Sequence, residues 1–184
     1  MFLKLNPKIY FVNSIRDAIR NVPDFPKPGI LFKDITPLLL NPELGKKIIS
    51  EFISNLKQIP VDAILGVESR GFLFGYMLAV EMNVPFIPIR KSGKLPWKTI
   101  GVDYALEYGK ARIEMHDDAL QPGMNVLIHD DLLATGGTAC ATADLVQMKK
   151  ANVSAFGFVV ELNFLEGRKK LEKYSKEIIS LVRY

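Results

Sequence analysis

Val126-Leu127-Ile128-His129-Asp130-Asp131-Leu132-Leu133-Ala134-Thr135-Gly136-Gly137-Thr138 is the stretch that decides the fold. It reads as a buried strand over Asn125–His129, an acidic pair opening a small-residue loop over Asp130–Thr138, and a helix over Ala139–Lys150. Gly136 and Gly137 let the backbone turn tightly and approach a ligand with no Cβ in the way. Thr135 and Thr138 offer hydroxyl donors, and the free N–H groups and positive dipole end of the following helix attract a phosphate. Ionised carboxylates accept hydrogen bonds only, so Asp130 and Asp131 would repel a phosphate yet hold sugar hydroxyls. An acidic pair just ahead of a phosphate cradle describes a ribose 5-phosphate. An isolated Gly-Gly would read as a plain turn with Thr138 as helix cap; the whole string is more specific. No Gly-Lys-Ser/Thr follows, so it is not a Walker loop, and the G-x-G-x-x-G spacing of dinucleotide folds is absent.

Working outward, apolar runs over Ala63–Val67, Pro85–Ile89, Ser154–Leu162 and Ile178–Val182 read as further strands. Helical periodicity covers Ser14–Arg20, Phe72–Glu81, a stretch near Glu166–Tyr174, and the segment after Asn41-Pro42, which pairs a cap residue with proline at the first helical position. Val102–Tyr108 and Ala111–His116 flank Gly109-Lys110 as a hairpin, and Phe25–Gly29 and Lys91–Gly101 are loops by their glycine and proline. Strands alternating with helices, and continuously apolar, imply an α/β fold with a mostly parallel central sheet flanked by helices. Ligands bind such sheets outside the carboxyl ends of the strands, so the turns after Val67, Ile89 and His129 are where chemistry is expected.

The Asp130–Thr138 string resembles the phosphoribosyl-pyrophosphate signature of type I phosphoribosyltransferases, in the form found among those that use adenine. Three other stretches agree with that branch: Phe25-Pro26-Lys27-Pro28-Gly29-Ile30-Leu31-Phe32-Lys33-Asp34, Glu68-Ser69-Arg70-Gly71-Phe72-Leu73-Phe74-Gly75, and Arg90-Lys91-Ser92-Gly93-Lys94-Leu95-Pro96 with Leu106-Glu107-Tyr108-Gly109-Lys110. The resemblance covers roughly residues 22–183. It implies the type I phosphoribosyltransferase fold as a single domain over 1–184, with an N-terminal arm and small hood over about 1–35 and a flexible lid loop and hairpin over about 91–112. It implies transfer of phosphoribosyl from its pyrophosphate to adenine, giving AMP and pyrophosphate for purine salvage. Another purine such as hypoxanthine or xanthine is the nearest alternative, and a non-catalytic sensor of the sugar pyrophosphate the next.

The resemblance also implies roles. Ala134, Thr135, Gly136, Gly137 and Thr138 would cradle the 5-phosphate, with Asp130 and Asp131 on the ribose. Side chains alternate along a strand, so both aspartates reach one ligand directly only if the strand ends before them; otherwise Asp131 acts indirectly. Ser69 and Arg70 would form the pyrophosphate loop, the guanidinium fork suiting phosphate oxygens, with an unusual peptide bond at Glu68-Ser69. Lys91 and Lys94 would meet the departing pyrophosphate. Phe32 would stack on the purine and the Leu31 backbone would read its edge, or both simply close the hood. Lys33 stands where some members carry arginine, keeping the charge and losing the fork. Glu107 is the candidate acid/base group near purine N7, with Tyr108 beside it; the plain alternative is an exposed hairpin carboxylate. Magnesium is expected to arrive with the pyrophosphate and not on a protein cage, and a homodimer is expected, with Arg90 crossing its interface. Trp97 is a lid or dimer contact, His129 a strand-end histidine with its hydrogen bonds satisfied and not a catalyst, and His116 and Cys140 structural.

Composition sets outer limits. The 184 residues are 48% hydrophobic and 24% charged, an ordinary globular balance. One cysteine and two histidines argue against a disulfide framework or a multi-ligand zinc site. The net charge of +4 suits anionic small molecules, and no Lys/Arg run favours nucleic acid. No apolar run reaches the ~18 residues of a membrane span, and residues 1–10 lack the pattern of a signal peptide, so the expected compartment is the cytoplasm.

Overall fold

The structure is a computed structural model that describes residues 14–106 and 109–184. The chain divides into two compact units, with the boundary after Ser50. The first holds a short helix α1 (Ile15–Ala18), an antiparallel hairpin of β1 (Arg20–Pro23) and β2 (Leu31–Asp34), and a turn of helix α2 (Thr36–Leu39). Ser14 caps α1 by accepting from Asp17 N at 3.1 Å. Helix was expected as far as Arg20, but Arg20 is already paired with Asp34 in the hairpin, which ends α1 at Ala18. The hairpin itself was not expected. Its strands have four residues each, too few to show an alternation, and its loop is set by the Asp24 carboxylate accepting from Gly29 N at 2.7 Å.

Helix α3 (Pro42–Leu56) begins where Asn41-Pro42 placed it. The Asn41 side chain accepts from the Glu43 and Leu44 backbone amides at 3.1 and 3.3 Å, satisfying donors that have no partner inside the helix. Leu44, Ile48, Ile49, Phe52 and Leu56 are its buried apolar side chains, one stripe at helical spacing.

The second unit is built on a seven-stranded sheet. Five strands run parallel in the order β4 (Phe86–Lys91), β3 (Ala63–Val67), β7 (Asn125–Leu133), β8 (Asn152–Glu161), β9 (Ile178–Arg183). The hairpin of β5 (Thr99–Leu106) and β6 (Gly109–His116) joins antiparallel, β6 pairing with β4. β3 and β7 are paired on both sides, and every residue of β3 is buried; interior parallel strands are covered on both faces, hence their unbroken apolar runs. Helix α4 (Gly71–Met82) links β3 to β4, α5 (Gly137–Met148) links β7 to β8, and a 3-10 turn (Asn163–Leu165) with α6 (Gly167–Leu171) leads to β9. No helix among the described residues is long and apolar enough to cross a membrane.

Two boundaries differ from expectation in ways that matter. β7 does not stop at His129 but continues through both aspartates to Leu133, because β8 is long enough to pair Asp130 with Phe158, Leu132 with Val160 and Leu133 with Glu161. Pairing, not polarity, sets a strand's end. In the hairpin Leu106 pairs with Gly109 and Ala105 with Lys110, so Gly109-Lys110 belongs to β6 and is not the turn; β5 also begins at Thr99, shortening the preceding loop. Glu107 and Tyr108 lie outside the described residues.

His129 sits in the core, fully buried, its ring edge-on to Phe52 at a centroid distance of 5.2 Å. Gly75 and Gly157 make room for it: a Cβ at either would lie 3.2 and 3.5 Å from the ring. Burial pushes its imidazole down to about 4, outweighing the opposing effect of the Gly157 backbone. The sign follows directly. Between pH 6.5 and about 4 the unfolded chain takes up a proton that folded His129 refuses, so stability is full above that window and falls through it as pH drops. The loss attributable to His129 is up to about 3 kcal/mol. Urea unfolding at stepped pH checks this: the wild-type slope over that window exceeds that of His129→Leu by close to one proton.

Candidate active site

The carboxyl ends of β3, β4 and β7 lie at one edge of the sheet, since these strands are parallel neighbours. Three of the expected segments meet there. At the end of β7, Asp130 is half-buried and lines a cavity of about 80 Å³ together with Ala134, Thr135, Gly136, Gly137 and Thr138. Its Oδ1 accepts from Asp131 N at 2.8 Å. The cavity opens on the first turn of α5, whose leading N–H groups have no partner within the helix. Gly136 is the cap residue with φ +78°, a conformation that costs glycine nothing. Thr138 Oγ1 donates to Tyr104 Oη at 3.3 Å, tying the hairpin strand β5 to the cradle.

The cradle is supported from behind by a residue that sequence reasoning passed over. A Cβ at Gly136 would lie 2.9 Å from the Gly167 carbonyl oxygen, and a Cβ at Gly167 would collide with the Ala134 carbonyl oxygen and stand 3.0 Å from Gly136 N. The loop and the start of α6 touch backbone to backbone. Nothing near Gly167 in the sequence signals this, because the contact joins segments thirty residues apart.

Asp131 is only 3% exposed and forms an ion pair with Arg70, Oδ2 to Nε 3.1 Å. With β7 continuing past both aspartates, direct contact of both with one ligand loses its premise. Asp131 instead holds the residue that precedes α4. Gly71 makes this junction possible: a Cβ there would lie 2.9 Å from the His129 carbonyl and 3.0 Å from Asp130 Oδ1. Burial raises both carboxyls above their usual range. The Asp131 charge adds to the rise at Asp130, which is the larger, while Arg70 opposes it at Asp131.

The turn after β3 carries a cis peptide at Glu68-Ser69, at the bond the resemblance pointed to. Ser69 is exposed and Arg70 half-exposed. Glu68, which had no assigned role, fastens this turn to the end of β4. It accepts from Arg90 Nη2 at 3.1 Å and Nε at 3.3 Å, and from Lys91 N at 3.0 Å. The Arg90 guanidinium is the main reason its carboxyl lies below the usual range. Arg90 also donates to the Lys94 carbonyl at 2.8 Å. Lys91 and Lys94 are both exposed at the end of β4.

The expected base-reading segment belongs to the first unit. Leu31 is half-exposed, Phe32 packs edge-on against Phe25 at 5.1 Å, and Lys33 Nζ donates to Asn21 Oδ1 at 2.7 Å. Lys33 therefore has a local hydrogen bond within its hairpin.

Two substitutions follow from this geometry. Asp130→Asn removes a half-buried charge whose raised pKa makes the folded state lose stability as pH rises past the ordinary carboxylate value. Thermal melts at pH 7.5 should therefore show a higher midpoint for the variant, while calorimetry with ribose 5-phosphate as probe should show weaker binding. Gly167→Ala should do the reverse, costing about 1–3 kcal/mol of stability through overpacking and shrinking the cradle, read as lost ribose 5-phosphate binding with the α/β circular dichroism spectrum retained.

Comparison with known proteins agrees with the geometry. The family model described as the phosphoribosyl transferase domain matches residues 38–183. The chain is 52% identical over 171 residues to an adenine phosphoribosyltransferase of Cytophaga hutchinsonii, covering 93% of this chain and 94% of that one. A relative of the same name from Roseiflexus is 50% identical over 171 residues, with 93% and 98% covered. The crystal structure of adenine phosphoribosyltransferase from Thermoanaerobacter pseudethanolicus superposes with a TM-score of 0.89 at 48% identity, covering 92% of this chain and 98% of that one. That of the Giardia lamblia enzyme, complexed with 9-deazaadenine, gives 0.85 at 33% identity, with 94% and 99% covered. The chain belongs to the phosphoribosyltransferase family, in its adenine phosphoribosyltransferase branch.

Proposed function

We propose that the protein transfers the phosphoribosyl group of 5-phosphoribosyl 1-pyrophosphate to adenine, releasing AMP and pyrophosphate, and so salvages the purine. The observation that carries this reading is the cavity at the end of β7, with a helix N-terminus and hydroxyls on one side and the Asp130 carboxylate on the other. Ala134–Thr138 take the 5-phosphate, and Asp130 accepts from a ribose hydroxyl. Ser69 and Arg70 hold the pyrophosphate, and Asp131 sets the guanidinium in place. Lys91 and Lys94 stabilise the leaving group as its charge grows.

Substitution replaces pyrophosphate by a purine nitrogen at the anomeric carbon, through a sugar that gains oxocarbenium character. The protein's share is to position the reactants and to stabilise charge. Phe32 stacks on adenine and the Leu31 backbone reads its edge; Glu107 exchanges the proton at N7, with Tyr108 beside it. Closure of the 91–112 segment excludes water that would otherwise hydrolyse the activated sugar. A magnesium ion would come with the pyrophosphate, whose hard oxygens suit it, and would supply further neutralisation of the departing charge. Asp130 carries the one carboxylate among the residues that line the cavity.

The reading includes a homodimer. Leu73, Tyr76, Met77 and Val80 of α4 are 41–61% exposed and recur at helical spacing, an apolar face suited to burial between subunits. It also includes a cytoplasmic site of action, where charged phosphosugars are retained.

Incubation of the protein with phosphoribosyl pyrophosphate, magnesium and labelled adenine, with hypoxanthine, guanine and xanthine in parallel, tests the chemistry and the base together. AMP should form from adenine and no nucleotide from the others. Glu107→Gln should lower kcat by roughly 10²–10⁴, the usual weight of a general acid or base. Product from hypoxanthine or xanthine alone would move the assignment to another purine. No product from any base, with sugar-pyrophosphate binding intact, would make the protein a sensor.

A further inference from the structure

Glu114 is a buried carboxylate that no step above uses. It lies on β6, paired with Arg90 of β4 on one side and Gly101 of β5 on the other, and is 8% exposed. Its two oxygens are taken by consecutive residues of the loop after β4. Oε1 accepts from Ser92 Oγ at 2.6 Å and Oε2 from Gly93 N at 3.0 Å. Arg112 Nε approaches Oε1 at 3.4 Å, and the same guanidinium pairs with Asp103 at 3.2 Å. Arg112 lies flat over Gly101, where a Cβ would stand 2.7 Å from its Nη2. The Arg112 carbonyl accepts from Ser92 N at 3.1 Å.

These contacts act on one short turn. Lys94 N donates to the Lys91 carbonyl at 3.2 Å, closing Lys91-Ser92-Gly93-Lys94 around Gly93 at φ +75°. Glu68 holds the first residue of that turn through Lys91 N, and Glu114 holds the next two. An exposed loop with two lysines would otherwise sample many conformations, and binding would have to meet the cost of ordering it. Two anchored carboxylates meet that cost in the fold itself.

We propose that Glu114 is a positioning residue for pyrophosphate: it fixes the Lys91–Lys94 turn so that both ammonium groups are held ready for the leaving group. The proposal rests on the reading of Lys91 and Lys94 given above. The carboxylate presents its two oxygens to the Ser92 hydroxyl, the Gly93 amide and the Arg112 guanidinium. Glutamine keeps the size of the side chain but loses the charge and one acceptor, so Glu114→Gln gives up the charge-assisted contacts and weakens the hold on the turn with little change in packing.

The test is calorimetric titration of the full-length protein with magnesium pyrophosphate and, separately, with ribose 5-phosphate. Wild type, Glu114→Gln and the double variant Lys91→Ala/Lys94→Ala are compared. Glu114→Gln should weaken pyrophosphate binding by about tenfold, the scale of a lost preordering contact, and leave ribose 5-phosphate unchanged. Its KM for the sugar donor should rise while that for adenine stays constant. Trp97, the sole tryptophan and 70% exposed in the same loop, should show lower fluorescence anisotropy in the ligand-free variant. Equal weakening of both ligands, with a lowered melting temperature, would overturn the proposal as a general loss of structure. Unchanged pyrophosphate binding in Glu114→Gln alone would overturn it while leaving the lysines in place. Unchanged binding in the lysine double variant would sink the reading beneath it.

Discussion

Close approach of backbone to backbone at the carboxyl edge of the sheet is the constraint on which the site depends. Three glycines permit it. Gly71 lets the first turn of α4 rest against the His129 carbonyl and Asp130, and Gly136 and Gly167 let the cradle loop rest on α6. A methyl group at any of these would push apart segments that must stay within contact for the cavity to keep its shape. The helix N-terminus of α5 can then act as an anion site, because its first residues, Gly137, Thr138 and Ala139, line the cavity.

Charge is arranged on that frame in pairs that each join two loops. Asp131 with Arg70 joins β7 to the start of α4, and Glu68 with Arg90 and Lys91 joins the turn after β3 to the end of β4. Exposed ion pairs contribute little to stability, and removing one partner of a buried pair is costly. The value of these pairs is geometric: they settle where cations point before any anion arrives. Asp130 is the exception. Burial and the neighbouring Asp131 raise its pKa, so holding it ionised destabilises the empty protein, a local cost at the position where a sugar hydroxyl would be bound.

Much of this could be read from the chain before folding was considered. The apolar runs of β3, β7 and β8 announce interior parallel strands, and Asp130–Thr138 marks the loop that lines the cavity at the start of α5, because both signals are local in sequence. Boundaries were less readable. β7 outlasts its apolar run because β8 offers partners as far as Glu161, and a strand's partner is invisible to a single segment. The β1–β2 hairpin escaped notice for its brevity. Gly167 and Glu114 carry no motif, and Glu68, though inside the Glu68–Gly75 stretch, carries no sign of its partners; their roles come from contacts across twenty to thirty residues, which only the folded chain brings together.

On the function proposed above, the cradle at the start of α5 receives the 5-phosphate of a ribose. The most direct measurement is the perturbation of backbone amide resonances during titration with ribose 5-phosphate, with ribose alone as the control. The largest shifts should fall at Thr135, Gly136, Gly137 and Thr138, with smaller ones near Asp130 and none at the cradle with ribose alone at the same concentration. Shifts concentrated instead around the depression lined by Asp117, Gln121 and Lys150 at the other end of the helix, with the cradle amides unmoved, would contradict it.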